Sequence, residues 1–406
     1  MAALLEDKTK ELLERHGLRV PKGVVIHHAE EIPQCAAEVA FPAVAKALIP
    51  IGKKGKAGAV RIVHDEAELR AAFEAIVGRE FRGFHAGALL LERKEQIADE
   101  LFLSFNFDSV LRSAVAMLGR LGGVDVEEAA AANPEAFAHI PIDLALEQPV
   151  ASFAEAWRSV GLSAEKAEVA GRATEQALQA FRTYEARVLE INPLSLDADG
   201  GATAIGTLMD IDDDALFRQP ELAQWIEYGA SRFGRQATPL ERRLFALNLE
   251  GAGSMRFMEL EGGNLGCLLS GGGCSLWSAD HIIDRGGKPA TYYDATTPNE
   301  TMLRALFEGV LQIPGLRGLV FGSNIINLAR IESRVRILVE ALEASQLDFE
   351  RFPVVLRMAG PGEEEARRTA SRVPHLEYYG DEVTLEYALD RFVDRVKDVE
   401  AREGVA

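Results

Sequence analysis

The chain has 406 residues, 48% of them apolar and 26% charged, with a formal net charge of −19. Such a length exceeds one small core and implies two or three domains. The acidity argues against nucleic acid or an anionic membrane as the main partner, while leaving room for a local basic phosphate site. Three cysteines, Cys35, Cys267 and Cys274, show no metal-binding spacing and suit a reducing cytoplasm.

Residues 1–18 read as an amphipathic helix carrying Glu6, Asp7, Glu11 and Glu14. A signal peptide would need a basic start and an unbroken apolar core. No uncharged apolar stretch is long enough to span a bilayer. Strands are expected at 23–26 and 43–48. The second holds Lys46 among alanines, valine and leucine. A lysine there is costly to bury without an anionic partner, so it is a phosphate candidate. The loop 52–58, Gly-Lys-Lys-Gly-Lys-Ala-Gly, follows. Its glycines allow close backbone approach and its lysines supply charge, but it lacks the Walker A spacing. The plain alternative is a solvated hairpin loop.

Strand 60–63 and helix 66–76 come next. Phe84-His85-Ala86-Gly87-Ala88 echoes a phosphohistidine motif but leads straight into strand 88–92, and reads as coincidence. Glu92 ends that strand and Glu100 opens the next, 101–107. Residues 127–132 are alanine-rich and helix-like, and helices are expected at 153–159 and 164–184. Then comes Glu190-Ile191-Asn192-Pro193-Leu194. Side chains alternate along a strand, so Glu190 and Asn192 share a face, and Pro193 marks the strand end. A carboxylate and an amide oxygen side by side are donors of the type Mg²⁺ takes alongside phosphates. The turn 197–201 precedes a strand expected at 203–208, and the domain boundary is placed within 235–251.

The second half alternates more cleanly. Strands at 264–269, 290–293, 316–321, 354–358 and 376–379 are each followed by a helix. These helices are expected at 275–285, 300–312, 328–345, 363–372 and 384–400. Five such units imply a parallel sheet covered on both faces. The turn Ser270-Gly271-Gly272-Gly273-Cys274-Ser275 joins a strand to a helix start, whose free N–H groups favour an anion. Gly322-Ser323-Asn324 is the same kind of turn two strands on.

The runs GKKGKAGAVRIV, ADELFL, LEINPLSL, DALFRQPEL and LLSGGGCSLWSADHIIDRGG together resemble the β subunit of succinyl-CoA synthetase. They are closer still to the ATP-grasp part of ATP-citrate lyase and citryl-CoA synthetase. The resemblance runs from Leu4 to about Gly360, nearly ungapped from Glu190 to Leu222. It implies an α/β chain with an ATP-grasp nucleotide-binding domain over 1–236. A flavodoxin-like CoA-ligase domain would follow over 237–406. Lys46, Lys53, Lys54 and Gly55 would hold ATP phosphates, and Glu92 and Glu100 would line the adenine and ribose. Asn192 would bind Mg²⁺. Glu190 would steady the phosphorylated histidine of a partner subunit. Ser270, Gly271, Gly272 and Gly273, with Gly322, Ser323 and Asn324, would hold a carboxylic acid substrate, and Arg357 would add a further contact. The family's run leaves Asn327 as an alternative to Asn324. CoA and the catalytic histidine would sit on an α-type partner, making a cytoplasmic hetero-oligomer.

Two positions depart from the family pattern. Gly206 stands where an aspartate Mg²⁺ ligand is expected, and Asp210 lies about 13 Å further along an extended strand. Met358 stands where citrate-binding relatives carry a second arginine, which implies an acid with fewer charges than citrate. Gly206 also supports an alternative reading, a non-catalytic ATP-grasp subunit that binds or regulates a partner ligase.

Overall fold

The computed structural model describes residues 2–404 except 124, 147–148, 198–199, 227–236, 251–252, 297 and 328. Part of the turn expected at 197–201, and the ends of the boundary segment 235–251, lie outside the described residues. So does the expected start of the helix at 328. The chain forms two compact units, Met1–Gln236 and Ala237–Ala406.

Among the described residues the first unit holds two larger antiparallel sheets and a two-stranded one, Glu80–Phe81 with Phe84–His85. The smaller of the two larger sheets runs in the order Gly23–Ile26, Leu89–Arg93, Ala43–Ala47, Val60–Val63. Ala43, Ala45 and Ala47 point to one face and pack with Leu69, Phe73 and Ile76 of the helix Glu66–Ile76. The i, i+3, i+4, i+7 spacing of its buried residues makes that face, and Asp65 caps the helix by accepting from the Glu68 N–H. Strand alternation therefore puts Lys46 on the opposite face.

The larger sheet runs Ala2–Leu4, Thr207–Ile211, Ala186–Leu196, Asp99–Asp108, Ser113–Gly119, Phe137–Ile142, with Ala202–Ala204 also on Ala186–Leu196. Four features differ from the sequence expectation. Ala2–Leu4, expected as part of a helix over 1–18, is an edge strand paired antiparallel with Thr207–Ile211, and the helix begins at Glu6. The strand does not stop at Pro193: it continues to Leu196 through a register shift between Ile191 and Leu194, where a missing N–H is tolerated. The single strand expected at 203–208 is two strands separated by a bend at Ile205–Gly206. Strands Ser113–Gly119 and Phe137–Ile142 were not expected. The first is alanine-rich and the second, an edge strand, contains Pro141, so neither carries a strand-like composition.

The second unit has a parallel sheet in the order Leu265–Ser270, Gly318–Ser323, Val354–Arg357, Glu377–Tyr379. Both faces are covered. Cys267, Leu269, Val320 and Val355 pack with Leu389 and Phe392 of the helix Leu385–Glu403. Leu268, Leu319, Phe321 and Leu356 pack with Leu306 and Leu338 of the helices Glu300–Val310 and Glu332–Ala344. The fifth parallel strand is corrected: Thr291–Thr296 pairs antiparallel with Ser254–Glu259. It still lies beside Leu265–Ser270, joined by one parallel bridge at Pro289. The Thr291 hydroxyl accepts from the Cys267 N–H at 2.9 Å and donates to its carbonyl at 3.1 Å. The side chain thus replaces the backbone ladder, and the overall order is flavodoxin-like.

Candidate functional site

The N-terminal helix Glu6–Arg15 buries Glu6, Thr9, Lys10, Leu12 and Leu13. Glu6 and Lys10 are thus charged residues at i, i+4 on the apolar stripe, facing the core. Lys46 and Glu92 arrive there from adjacent strands of the smaller sheet, and Lys54 from the glycine-rich loop. Glu6 Oε1 lies 2.8 Å from Lys46 Nζ and 3.0 Å from Lys10 Nζ, and Glu6 Oε2 lies 2.8 Å from Lys54 Nζ. Glu92 Oε2 is 2.7 Å from Lys46 Nζ, and Glu92 Oε1 meets Lys10 Nζ. Lys10 and Lys46 both donate to the Ile205 carbonyl, at 2.7 and 2.9 Å. The five side chains are only 2–10% exposed. Three ammonium groups against two carboxylates leave one positive charge in a buried place. Burial pushes the Glu6 carboxyl up, but Lys10, Lys46 and Lys54 outweigh it and hold the group well below the usual range. Burial pulls the Lys46 ammonium down, and Glu6 and Glu92 more than offset that.

The anionic partner that Lys46 requires is therefore Glu6 together with Glu92. Sequence reasoning missed Glu6 and Lys10, although their spacing on the buried face of a helix was a readable signal. It also paired Glu92 with Glu100 along one nucleotide edge. The structure separates them: the Glu92 carboxylate faces inward to lysines, while Glu100 is exposed.

The loop lysines diverge. Lys54 turns inward to Glu6. Lys53 donates to Asp125 Oδ2 at 3.0 Å and Glu127 Oε2 at 2.6 Å, and Lys56 donates to Asp125 Oδ2 at 3.0 Å. Hydrogen bonds from Lys53 and Lys56 hold the Asp125 carboxyl well below its usual value. At Gly55 a side chain would meet no described residue within 4 Å, so no described contact demands glycine there.

Glu190 and Asn192 are half-buried on one face of their strand, with Leu189 and Ile191 fully buried on the other. The Asn192 Oδ1 accepts from the Gly123 N–H at 2.7 Å, and the Asn192 N–H donates to the Gly206 carbonyl at 2.8 Å. The neighbouring Gly122 N–H donates to the Glu100 carbonyl at 2.8 Å, so this short loop brings Glu100 and Asn192 together. A Cβ at Gly206 would lie 2.3 Å from the Asn192 carbonyl oxygen. An aspartate at that position would require the backbone to shift. Asp210 is 2% exposed and sits opposite Val188 and Ala3, further along the sheet. Glu190 and Asn192 offer a carboxylate and an amide oxygen, the donor chemistry Mg²⁺ takes alongside phosphate and water.

In the second unit the parallel register places Ser270 beside Ser323 and Gly322 beside Arg357, all at the carboxyl ends of strands. Ligands of such sheets bind there. Ser323 is 4% exposed, and among the described residues its Oγ has no hydrogen-bond partner. Two findings change the expected roles. The Gly271 and Gly272 N–H groups donate to Asp294 Oδ1, at 3.0 and 3.2 Å, so the chain's own carboxylate occupies that part of the turn. Arg357, 4% exposed, donates to the carbonyls of Asn324 at 3.0 Å and Val383 at 3.1 Å, bracing two loops. Gly322 is required by close approach, since a Cβ there would lie 1.9 Å from the Arg357 carbonyl oxygen. Gly273 begins the helix Gly273–Asp284, and Asn324 and Asn327 are exposed. Met358 is 1% exposed and packs in the hydrophobic core, so its side chain does not face the turns. His85 is exposed on a two-residue strand. Asp294 carried no sequence signal.

These two units define an ATP-grasp subunit of the acid–CoA ligase class. The ATP-grasp domain family matches residues 3–196. A GDP-forming succinate–CoA ligase β subunit of Thermus thermophilus is 33% identical over 377 residues, covering 91% of this chain and 94% of the relative. An ADP-forming sulfoacetate–CoA ligase subunit of Bilophila wadsworthia is 31% identical over 366 residues, covering 89% and 91%. ATP citrate lyase from Methanothrix soehngenii, solved in complex with citrate and coenzyme A, shares the fold. It has a TM-score of 0.76 at 18% identity and covers 98% of this chain and 99% of that one. The chain belongs to the succinate–CoA ligase β-subunit family.

Proposed function

We propose that this chain is the β-type, nucleotide-binding subunit of an ATP-dependent carboxylic acid–CoA ligase, working with an α-type partner. The observation that carries this reading is the buried cluster of Glu6, Lys10, Lys46, Lys54 and Glu92, with one excess positive charge beside a glycine-rich loop. An uncompensated buried charge is costly, and a phosphate oxygen supplies the missing negative charge. Lys54 and the loop backbone would receive the phosphates, and Lys10 and Lys46 would set the local potential. Glu190 and Asn192 would hold Mg²⁺, which when bound neutralises phosphate charge. Glu100, beside Asn192, would line the nucleotide.

On this reading the phosphoryl group passes from ATP to a histidine of the partner, then to the acid, and CoA displaces it as a thioester. Glu190 would steady the histidine as it enters. This chain supplies position and electrostatics, the dominant contributions in phosphoryl transfer. The acid would sit at Ser270, Gly273 and Ser323, with Arg357 holding the Asn324 loop in place. The Asp294 charge beside that turn disfavours an acid with many charges, which supports a substrate less anionic than citrate. The three free cysteines are consistent with the cytoplasm, and no described helix is long and apolar enough to cross a membrane. Co-purification with an α-type subunit, then an assay of ATP-dependent thioester formation with citrate, malate, succinate and monocarboxylates, tests the reading. Thioester formation with a mono- or dicarboxylate is expected. ATP-independent activity, or none with any acid, would contradict it.

A further inference from the structure

We propose that Glu6 is a positioning residue for phosphoryl transfer: one of its carboxylate oxygens fixes Lys46 on the strand, and the other aims Lys54 of the glycine-rich loop. The proposal rests on the nucleotide reading above. An ammonium group has three N–H donors. Around Lys46 Nζ lie Glu6 Oε1, Glu92 Oε2 and the Ile205 carbonyl oxygen, at 2.8, 2.7 and 2.9 Å. Lys10 Nζ likewise meets Glu6, Glu92 and the Ile205 carbonyl. Each of these lysines donates two hydrogen bonds to protein oxygens and has a further carboxylate oxygen within ion-pair distance. Among the described residues Lys54 Nζ meets one acceptor, Glu6 Oε2 at 2.8 Å, which leaves donors to offer. Lys53 and Lys56 are engaged with Asp125 on the other side of the loop.

Lys54, with a single hydrogen bond to protein, is the lysine of the cluster with the most to offer a phosphate oxygen, and Glu6 is what brings it there. A loop lysine is long and flexible, and fixing it for a ligand costs rotamer entropy. The bond to Glu6 orders the side chain before the nucleotide arrives, which is preorganisation. Glu6 itself is 4% exposed and lies on a helix core-packed through Leu12 and Leu13, so the anchor is rigid.

The test measures binding of Mg-ATP and of AMP to the full chain by calorimetry, for wild type, Glu6→Gln, Glu6→Asp and Lys54→Met. A loss of positioning weakens ATP by about tenfold in Glu6→Gln while AMP changes less than about twofold, because AMP lacks the outer phosphates. Adding Glu6→Gln to Lys54→Met is expected to cause little further loss, since one acts through the other. A purely structural role would lower ATP and AMP affinity together and give additive losses, and either result overturns the proposal. If Glu6→Gln does not fold, Glu6→Asp keeps the charge, shortens the reach and is read by the same ATP-to-AMP ratio. Absence of ATP binding by the wild-type chain would overturn the nucleotide reading itself, a different outcome from an unchanged ratio.

Discussion

Lys46 donates to the carbonyl oxygen of Ile205 at 2.9 Å, across 159 residues of sequence. The next residue, Gly206, accepts from the Asn192 N–H at 2.8 Å. The buried lysine cluster and the strand of Glu190 and Asn192 are thus joined through two consecutive backbone carbonyls. The bend at Ile205–Gly206 lies between strands Ala202–Ala204 and Thr207–Ile211.

Lys46 and Lys54 separate by role. Lys46→Met leaves Glu6 and Glu92 short of a buried counter-charge and is expected to destabilise the first unit by about 3–5 kcal/mol. Lys54→Met leaves a less central position and is expected to change stability little while weakening Mg-ATP about tenfold. Urea denaturation and calorimetric titration of both variants decide this. Equal effects of the two on stability would contradict the cluster's internal balance.

Gly206→Asp tests whether the family's missing ligand can be restored. The clash with the Asn192 carbonyl oxygen means the backbone must shift. The variant is expected to lose about 1–3 kcal/mol, as overpacked positions do, without tighter Mg-ATP binding. A thermal melt with a metal titration checks both. Tighter metal–nucleotide binding at an unchanged melting temperature would show that the bend is more pliable than the structure indicates.

Acid should strike the first unit through Glu6. Its folded-state pKa is depressed, so its contribution is fully present above the ordinary value of 4.5 and is lost as pH falls through the folded value. Denaturation midpoints measured from pH 7 downward should fall below that point for wild type, and more shallowly for Glu6→Gln. Identical slopes would place the acid sensitivity elsewhere.

Much of this was legible in the sequence because its signals were local. Helix Glu66–Ile76 and strands Gly23–Ile26 and Val60–Val63 carry their own period and turn residues. The alternation that puts Glu190 and Asn192 on one face needed only strand geometry. What escaped depended on partners far along the chain. Glu6 meets Lys46 and Lys54 across 40 and 48 residues, and Asp294 reaches back over 20 residues to the glycine turn. The departure of Thr291–Thr296 from the parallel sheet depended on a pairing with Ser254–Glu259 that its own composition does not announce. Met358 looked like a lost substrate contact in the sequence, and its burial in the core moves the charge argument to Asp294.

Asp294→Asn removes a negative charge beside the substrate turn while keeping an oxygen acceptor for the Gly271 and Gly272 N–H groups. In the complex with the α-type partner, KM for a di- or tricarboxylate should fall several-fold relative to a monocarboxylate. An unchanged ratio would mean that Asp294 serves the turn's shape alone.

The central claim is a division of labour, with nucleotide binding on this chain and the transferable histidine on another. Its most direct test is Mg-ATP titration of the purified chain, paired with an acyl-CoA assay of the same preparation. Saturable ATP binding with no thioester formed until the α-type partner is added is the expected result. Robust CoA ligation by the chain alone, or no ATP binding at all, would contradict it.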